Sequence, residues 1–214
     1  MDMIMEWDPG FLARSPMFEP LRALGAGLAG PEWPTRQALQ DLLARRENPV
    51  MTRSGLPVHL VPAGGRKRSF EERYEARIHL RGEMVFRDRN WHDLLNVLVW
   101  LTFPRAKAAL NARHFEALGA QHAAGAANRG PAQDALTLFD EGGVIVASRD
   151  KKLLGLLAEW RWKELFWGNR ARLGSRMRFL IFGHALYEKA LRPFLGVTGR
   201  GVLLDVEPEL LAGP

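Results

Sequence analysis

Apolar positions dominate the segment NWHDLLNVLVWLTFPRAKAALNARH, residues 90–114. Between Leu94 and Leu101 the chain is apolar on nearly every side of a helix, which is typical of a buried helix. Pro104 follows this stretch, and an internal proline removes a helical hydrogen bond and clashes with the preceding turn. The pattern therefore predicts one helix that ends near Thr102 and a second helix that begins at Pro104.

The remaining pattern mixes strand-like and helical segments. Alternation of polar and apolar residues predicts a β-hairpin or a pair of strands at residues 74–86 and a second hairpin at residues 134–148, although residues 135–139 also fit the end of a helix. Further strands are predicted at residues 56–62, just before Gly183 and in the late segment GVLLDV, and further helices from Pro34, in LLGLLAEWRWKELFW and after Gly183. These elements predict an α+β fold with mainly antiparallel strands and about five helices.

The predicted organisation has two parts. Residues 1–48 are predicted to form an N-terminal wrapping segment and a helix, and residues 49–214 a single α+β domain. Hydrophobic residues make up 47% of the chain and charged residues 25%, values that exclude disordered and fibrous classes. The acidic N-terminus is unlike a secretory signal, and no apolar run has the length of a membrane span. We therefore expect a cytoplasmic protein without a membrane partner, while no pattern indicates its oligomeric state.

The chain has no cysteine, which excludes disulfides, thiolate nucleophiles and iron–sulfur clusters. A divalent metal cofactor would need His, Asp, Glu or Asn ligands. The net charge of +6 and the isoelectric point near 10.1 fit an anionic partner, either a small molecule or a nucleic acid. The other interpretation of this charge is solubility alone.

Polar residues recur at helical spacing through residues 90–114. At about 100° per residue they fall in one sector about 60° wide. Because the first helix is otherwise apolar, its polar side chains are expected to be partly buried and to need partners. A functional cleft is the favoured interpretation, beside a buried structural network and a solvated face. The stripe consists of Asp93, Asn96, Trp100, Lys107, Asn111 and His114.

Three motifs occur in a fixed order: the segment 90–114, then DALTLFDEGG, then FGHALYEKAL. On the combination of these three motifs, the chain resembles a bacterial family known as domain of unknown function 3025, and the resemblance covers about residues 50–200. The resemblance implies a grouping and no activity.

Other residues offer candidate chemistry. His184 and Glu188 lie four residues apart in GHALYE, so on a helix they share a face and would act as a metal pair or as a base with its orienting carboxylate. Asp140 precedes a Gly-Gly pair, for which turn formation is the simplest interpretation. If the segment packs against the polar stripe, Asp134 or Asp140 would join His114 or His184 as metal ligands or as an acid–base pair.

A basic and aromatic tract follows near the C-terminus. Cations bind phosphate and rings stack on bases, so the combination favours single-stranded nucleic acid. The alternative is that the aromatic side chains lie in the core and the arginines are solvated. The tract contains Trp160, Arg161, Trp162, Lys163, Arg170, Arg172, Arg176 and Arg178.

The motifs of dinucleotide-binding folds, P-loops, common zinc proteases and α/β-hydrolases are absent from the sequence. The leading hypothesis is a hydrolase that acts on an anionic or phosphate-containing substrate. The alternatives are a non-catalytic nucleic-acid-binding module that uses the basic aromatic tract, and a scaffold protein. The predicted catalytic residues are His114, His184, Asp93, Asp134, Asp140 and Glu188, and the predicted substrate-binding residues are Asn96, Trp100, Lys107 and Asn111.

Overall fold

The computed structural model of the protein describes residues 6–44, 49–64, 69–125 and 129–207. The first five residues of the acidic N-terminus lie outside these ranges. The predicted boundary between residues 48 and 49 falls at the edge of the gap at 45–48, which also lies outside the described residues.

The elements alternate along the chain, with helices predominating. The strands are β1 (His59–Pro62), β2 (Glu83–Phe86), β3 (Gly143–Ser148), β4 (Met177–Ile181) and β5 (Arg200–Asp205). The 3-10 helices lie at Phe11–Ala13, Pro16–Gly27 and Phe70–Glu72, and a π-helix lies at Lys163–Gly168. The α-helices are α1 (Arg36–Ala44), α2 (Tyr74–Arg81), α3 (Trp91–Thr102), α4 (Pro104–Ala123), α5 (Pro131–Gly142), α6 (Lys151–Ala158), α7 (Arg170–Arg176) and α8 (His184–Leu191).

The fold is α+β, but its strands form two small sheets. Strands β1 and β2 form a parallel pair, and the mixed sheet has the order β4-β3-β5, with β3 antiparallel to β4 and parallel to β5. The described part of the chain contains eight α-helices. The predictions of mainly antiparallel strands and about five helices are therefore wrong.

The first predicted hairpin, at residues 74–86, is a helix followed by a strand. Ala76 and Ile78 are buried two residues apart, which mimics strand alternation, yet they belong to α2, which packs against α4. Gly82 ends the helix with φ of +70°, and a Cβ there would lie 2.2 Å from the carbonyl oxygen of Pro57. The glycine is thus a helix cap, and β2 pairs with the earlier strand β1.

The second predicted hairpin, at residues 134–148, is wrong in its first half, where the helical alternative is confirmed, whereas its second strand is present as β3. Pro131 occupies the first turn of α5, where its missing N–H costs nothing. The helix runs directly into β3 at Gly143, where a Cβ would lie 2.4 Å from the carbonyl oxygen of Phe139. The Gly-Gly pair therefore makes a helix-to-strand junction that brings the end of α5 to the centre of the mixed sheet.

The predicted break at Pro104 is confirmed, because α3 ends at Thr102 and α4 begins at Pro104. Residues 94–101 of α3 are almost entirely buried and form the centre of the main core. Residues of the N-terminal 3-10 helices and of α8 pack on the same cluster, including Phe11, Phe18 and Tyr187. Any polar side chain on α3 is consequently surrounded by protein.

A second, smaller core lies beneath α6 and the π-helix. It is formed by Val146, Leu153, Leu165 and Met177, and it packs one face of the mixed sheet. No helix among the described residues is both long enough and apolar enough to cross a membrane.

Candidate functional site

A cleft of about 740 Å³ opens where α2, α3, α4, α5 and α8 converge. Five of the predicted site residues line it: Asp93, Asn96, His114, Asp140 and His184. A small cavity of about 10 Å³, formed in part by the same residues, is also lined by Trp100, Lys107 and Asn111. The predicted residue Asp134 is exposed on α5 and does not line the cleft, and Glu188 is connected to it through His92.

Lys107 and Asp140 form a buried ion pair at this site. The Lys107 ammonium also lies 5.6 Å from the Trp100 ring centroid and 6.0 Å from that of Phe182, both within cation–π range. Burial raises the pKa of Asp140, but Lys107, His184 and His114 outweigh it and hold the pKa below its ordinary value. Both groups are therefore charged, and their charges cancel.

His92 and His184 contact each other through their Nε2 atoms, 3.0 Å apart. His184 Nδ1 lies 2.8 Å from the backbone carbonyl oxygen of Asp140, which only accepts hydrogen bonds. Nδ1 of His184 therefore carries the hydrogen, and its Nε2 presents a lone pair to His92. On the other side, His92 Nδ1 donates to the Glu188 carboxylate at 3.0 Å. His92 donates through both nitrogens and is an imidazolium.

The pKa values agree with this assignment. Burial, together with the Lys107 charge, lowers the pKa of His184 to about 4, so its ring is neutral at pH 7. The hydrogen bond to Glu188 raises the pKa of His92 above its ordinary value. The same bond to His92 lowers the pKa of Glu188, which is therefore a carboxylate.

Glu75, in the first turn of α2, lines both the cleft and the cavity. Asn111 donates to its carboxylate at 2.6 Å and to its backbone carbonyl at 3.0 Å. Burial, followed by the charge of Asp140, raises the pKa of Glu75 to about 7, against the opposing effects of Lys107 and Asn111. Glu75 thus exchanges a proton at neutral pH, as a general acid or base requires.

His114 is 5% exposed, and its Nε2 has no hydrogen-bond partner among the described residues. Burial lowers its pKa, so the ring is neutral at pH 7, while Asp140 and a hydrogen bond to the Leu136 backbone act in the opposite direction. The buried amide oxygens of Asn96 and Asn111 also lack partners in the described ranges.

Asp93 lines the cleft, and its carboxylate is bound by Arg87. Arg87 binds both of its carboxylate oxygens, at 2.9 Å and 2.7 Å, and the Arg87 backbone N–H donates to it at 2.8 Å. The Asn90 side chain caps the same helix end by accepting from the Asp93 N–H. Two further arginines of the cleft wall, Arg73 and Arg129, are exposed and have no carboxylate partner in the described part of the chain.

A metal ion would find few ligands here. No group of three or more His, Asp or Glu side chains among residues 6–44, 49–64, 69–125 and 129–207 is arranged to hold one. His92 and His184 offer two converging nitrogens, but no third His, Asp or Glu among the described residues joins them in a metal-binding arrangement. A divalent metal stays a prediction.

The basic aromatic tract forms a separate surface. Its exposed rings include Trp160, Trp162, Phe166 and Trp167, so the alternative that these side chains lie in the core is wrong. Part of its charge is neutralised locally, because Arg161 pairs with Glu164 and Glu159, and Arg172 pairs with Asp150.

Four residues that line the cleft were not predicted from the sequence: Glu75, His92, Arg73 and Arg129. The alternation at residues 74–86 predicts strands, so Glu75 is not expected on a helix. The signal for a helix is that Glu75 and Ile78 lie three residues apart, at helical spacing, before a glycine that caps the helix. His92 lies just outside the polar sector, but it is four residues before Asn96 on one helix face. The two arginines carry no local signal, since only the tertiary fold brings them to the cleft.

The fold and the site together define a class: an α+β protein with a polar cleft that is lined by a carboxyl of raised pKa, Glu75, and by the neutral histidines His114 and His184. The chain belongs to the family described as protein of unknown function (DUF3025), whose family model matches residues 58–214. The resemblance predicted from the sequence is therefore confirmed. No curated protein and no solved structure matches the chain.

Proposed function

We propose that the protein is a hydrolase that acts on an anionic, phosphate-containing substrate by acid–base catalysis in the cleft. The observation that carries the proposal is that Glu75 and His114 line the same cleft and the same cavity, and that Nε2 of His114 has no hydrogen-bond partner among the described residues. Paired titratable groups with perturbed pKa values in a concave site are typical of catalytic sites.

The two groups suit complementary roles. Neutral His114 accepts a proton at Nε2 from a water molecule, whose oxygen then attacks the electrophilic centre of the substrate. Glu75, with a pKa of about 7, is partly protonated at neutral pH and gives its proton to the oxygen that leaves. The cycle closes when the proton on His114 returns to Glu75 through solvent.

The charges of the cleft favour an anionic substrate group. Lys107 is neutralised by Asp140, and Arg87 is neutralised by Asp93. Arg73 and Arg129 keep their charges unpaired among the described residues, and guanidinium groups bind phosphate oxygens in pairs. The buried oxygens of Asn96 and Asn111 add acceptors for water or for hydroxyl groups of the substrate.

The test uses p-nitrophenyl phosphate and bis-p-nitrophenyl phosphate with the wild type, Glu75→Gln and His114→Gln. The matched controls are Glu116→Gln and His122→Gln, which change exposed residues of α4 away from the cleft. Loss of turnover by 100-fold or more in the first two variants alone, with unchanged circular dichroism, supports the proposal. Equal turnover in all five proteins, or no turnover in any, overturns it.

A second candidate function is non-catalytic binding of nucleic acid by the tract from Trp160 to Arg178. The specific observation in its favour is the exposure of Trp160 (71%) and Trp167 (74%) on a basic surface. Binding that falls steeply as salt rises from 50 to 200 mM is the expected result, and binding that is absent or insensitive to salt contradicts this function.

A further inference from the structure

Four aromatic rings form a continuous row beside the mixed sheet. Consecutive ring centroids are 5.4 Å apart from Trp160 to Trp162, 6.0 Å from Trp162 to Phe166 and 5.9 Å from Phe166 to Phe179. All four side chains are at least 40% exposed. We call Trp160, Trp162, Phe166 and Phe179 the aromatic row.

Trp160 holds its end of the row in an unfavourable backbone conformation. Its φ is +60°, in the left-handed region, which is a rare conformation for a bulky residue. Such strain persists where the surrounding structure fixes it, and it concentrates at functional sites. Here the backbone N–H groups of Trp160 and Arg161 bond to the carbonyls of Leu157 and Leu156 at the end of α6, and the Trp160 ring is turned into solvent.

Three cationic side chains of the tract have no partners among the described residues. Lys163, Arg170 and Arg176 have no ion pair or side-chain hydrogen bond to any described residue. Lys163 lies within the same π-helix as Phe166, and Arg176 directly precedes the strand that carries Phe179. The surface therefore combines free positive charge with exposed aromatic faces, and an apolar protein partner would leave those charges unpaired.

We propose that the aromatic row is a stacking platform for single-stranded nucleic acid, with Lys163, Arg170 and Arg176 on the phosphates. This inference rests on the second candidate function and specifies its ligand. Unpaired bases expose the faces on which rings stack, whereas a duplex conceals them, so the row discriminates between single and double strands. Because every base has such a face, the platform is expected to tolerate any sequence.

The experiment measures fluorescence anisotropy of labelled dT15, U15 and a 15-base-pair DNA duplex with the full chain. The variants are Trp160→Ala and Trp162→Ala, and the control is Phe194→Ala, an exposed ring outside the row. We expect dT15 or U15 to bind at least tenfold more tightly than the duplex, each tryptophan variant to bind about tenfold more weakly, and the control to bind like the wild type. The comparison of dT15 with U15 identifies the strand as DNA or RNA.

Three outcomes overturn the inference. Equal affinity for duplex and single strands, or tryptophan variants that bind like the wild type, would leave nucleic-acid binding intact and remove the stacking platform. Absence of binding to all three probes would remove the second candidate function as well.

Discussion

Nε2 of His92 and Nε2 of His184 are 3.0 Å apart, and the outer nitrogen of each ring faces an acceptor. Two neutral rings with hydrogens on their outer nitrogens would bring two lone pairs together. A single proton between the rings removes that repulsion, and the Glu188 carboxylate stabilises the resulting charge on His92. The pair therefore places one fixed positive charge on the cleft wall, opposite a ring that stays neutral.

This arrangement predicts different protonation states for two touching histidines. At pH 7, His184 is expected to be the neutral tautomer with hydrogen on Nδ1, and His92 is expected to be protonated on both nitrogens. Two-dimensional ¹H–¹⁵N spectra of the ring nitrogens distinguish these forms. Glu188→Gln should lower the pKa of His92, since it removes the partner that raises it. A neutral His92 in the wild type at pH 6 would contradict the assignment.

The lowered pKa of His184 predicts that the folded protein loses stability in acid. Its folded pKa of about 4 lies below the ordinary value of 6.5, so its contribution to stability is present above pH 6.5 and is lost as the pH falls through 4. The loss amounts to about 3 kcal/mol of unfolding free energy. His184→Asn keeps a donor near Nδ1 and removes the titration. Urea unfolding between pH 7.5 and 4 should show a smaller loss in this variant, and parallel curves would contradict the shift.

The raised pKa of Glu75 predicts the opposite dependence of stability on pH. Its folded pKa of about 7 lies above the ordinary value of 4.5, so its favourable contribution is complete below pH 4.5 and is lost as the pH rises through 7. The loss is at most about 3 kcal/mol, since water in the cleft screens the partly exposed side chain. Glu75→Gln should therefore gain stability relative to the wild type between pH 5 and pH 8, as measured by urea unfolding.

The control for this prediction is Glu116→Gln, because Glu116 is exposed on α4 and forms a surface ion pair with Arg113. Its stability difference from the wild type should not change between pH 5 and pH 8. A Glu75→Gln curve that follows the same course as this control would show that Glu75 titrates normally.

Local signals in the sequence were sufficient for part of the fold. Pro104 fixes the break between α3 and α4 because an α-helix tolerates proline in its first turn but not in its interior. The junction at Gly183 was also predicted correctly as a strand followed by a helix. A Cβ at Gly183 would lie 2.4 Å from the Glu141 carbonyl, so this glycine allows α8 to approach the end of α5 and brings His184 to Asp140.

The parts of the fold that were predicted wrongly depend on long-range packing, which local sequence patterns do not show. In residues 74–81, polar and apolar side chains alternate over a stretch too short to separate a helix from a strand, and contact with α4 settles the helix. The sequence therefore did not predict Glu75 as a site residue. Asn96 was expected to need a partner because the first helix is otherwise apolar, and that partner is Tyr74. Lys107 and Asn111 were predicted from their helical spacing in the stripe, and their partners are Asp140 and Glu75. Whether the stripe is catalytic stays a prediction.

The ion pair of Lys107 and Asp140 provides the sharpest test of how the site is held. Removal of one partner leaves a buried charge uncompensated, so Lys107→Met and Asp140→Asn should each lower the unfolding free energy by about 3–5 kcal/mol. The double variant leaves neither charge and should lose clearly less than the two single changes together. Guanidinium unfolding of all four proteins measures the coupling.

The same cycle distinguishes a charge effect from a loss of packing. Lys107→Met preserves much of the side-chain volume beside the Trp100 and Phe182 rings, so its cost reports mainly the charge left on Asp140. Lowering the pH towards 4 protonates part of that unpaired carboxylate, and the cost of Lys107→Met should shrink accordingly. A cost that is independent of pH, with additive losses in the double variant, would mean that the pair contributes through packing alone and that Asp140 is not held ionised by Lys107.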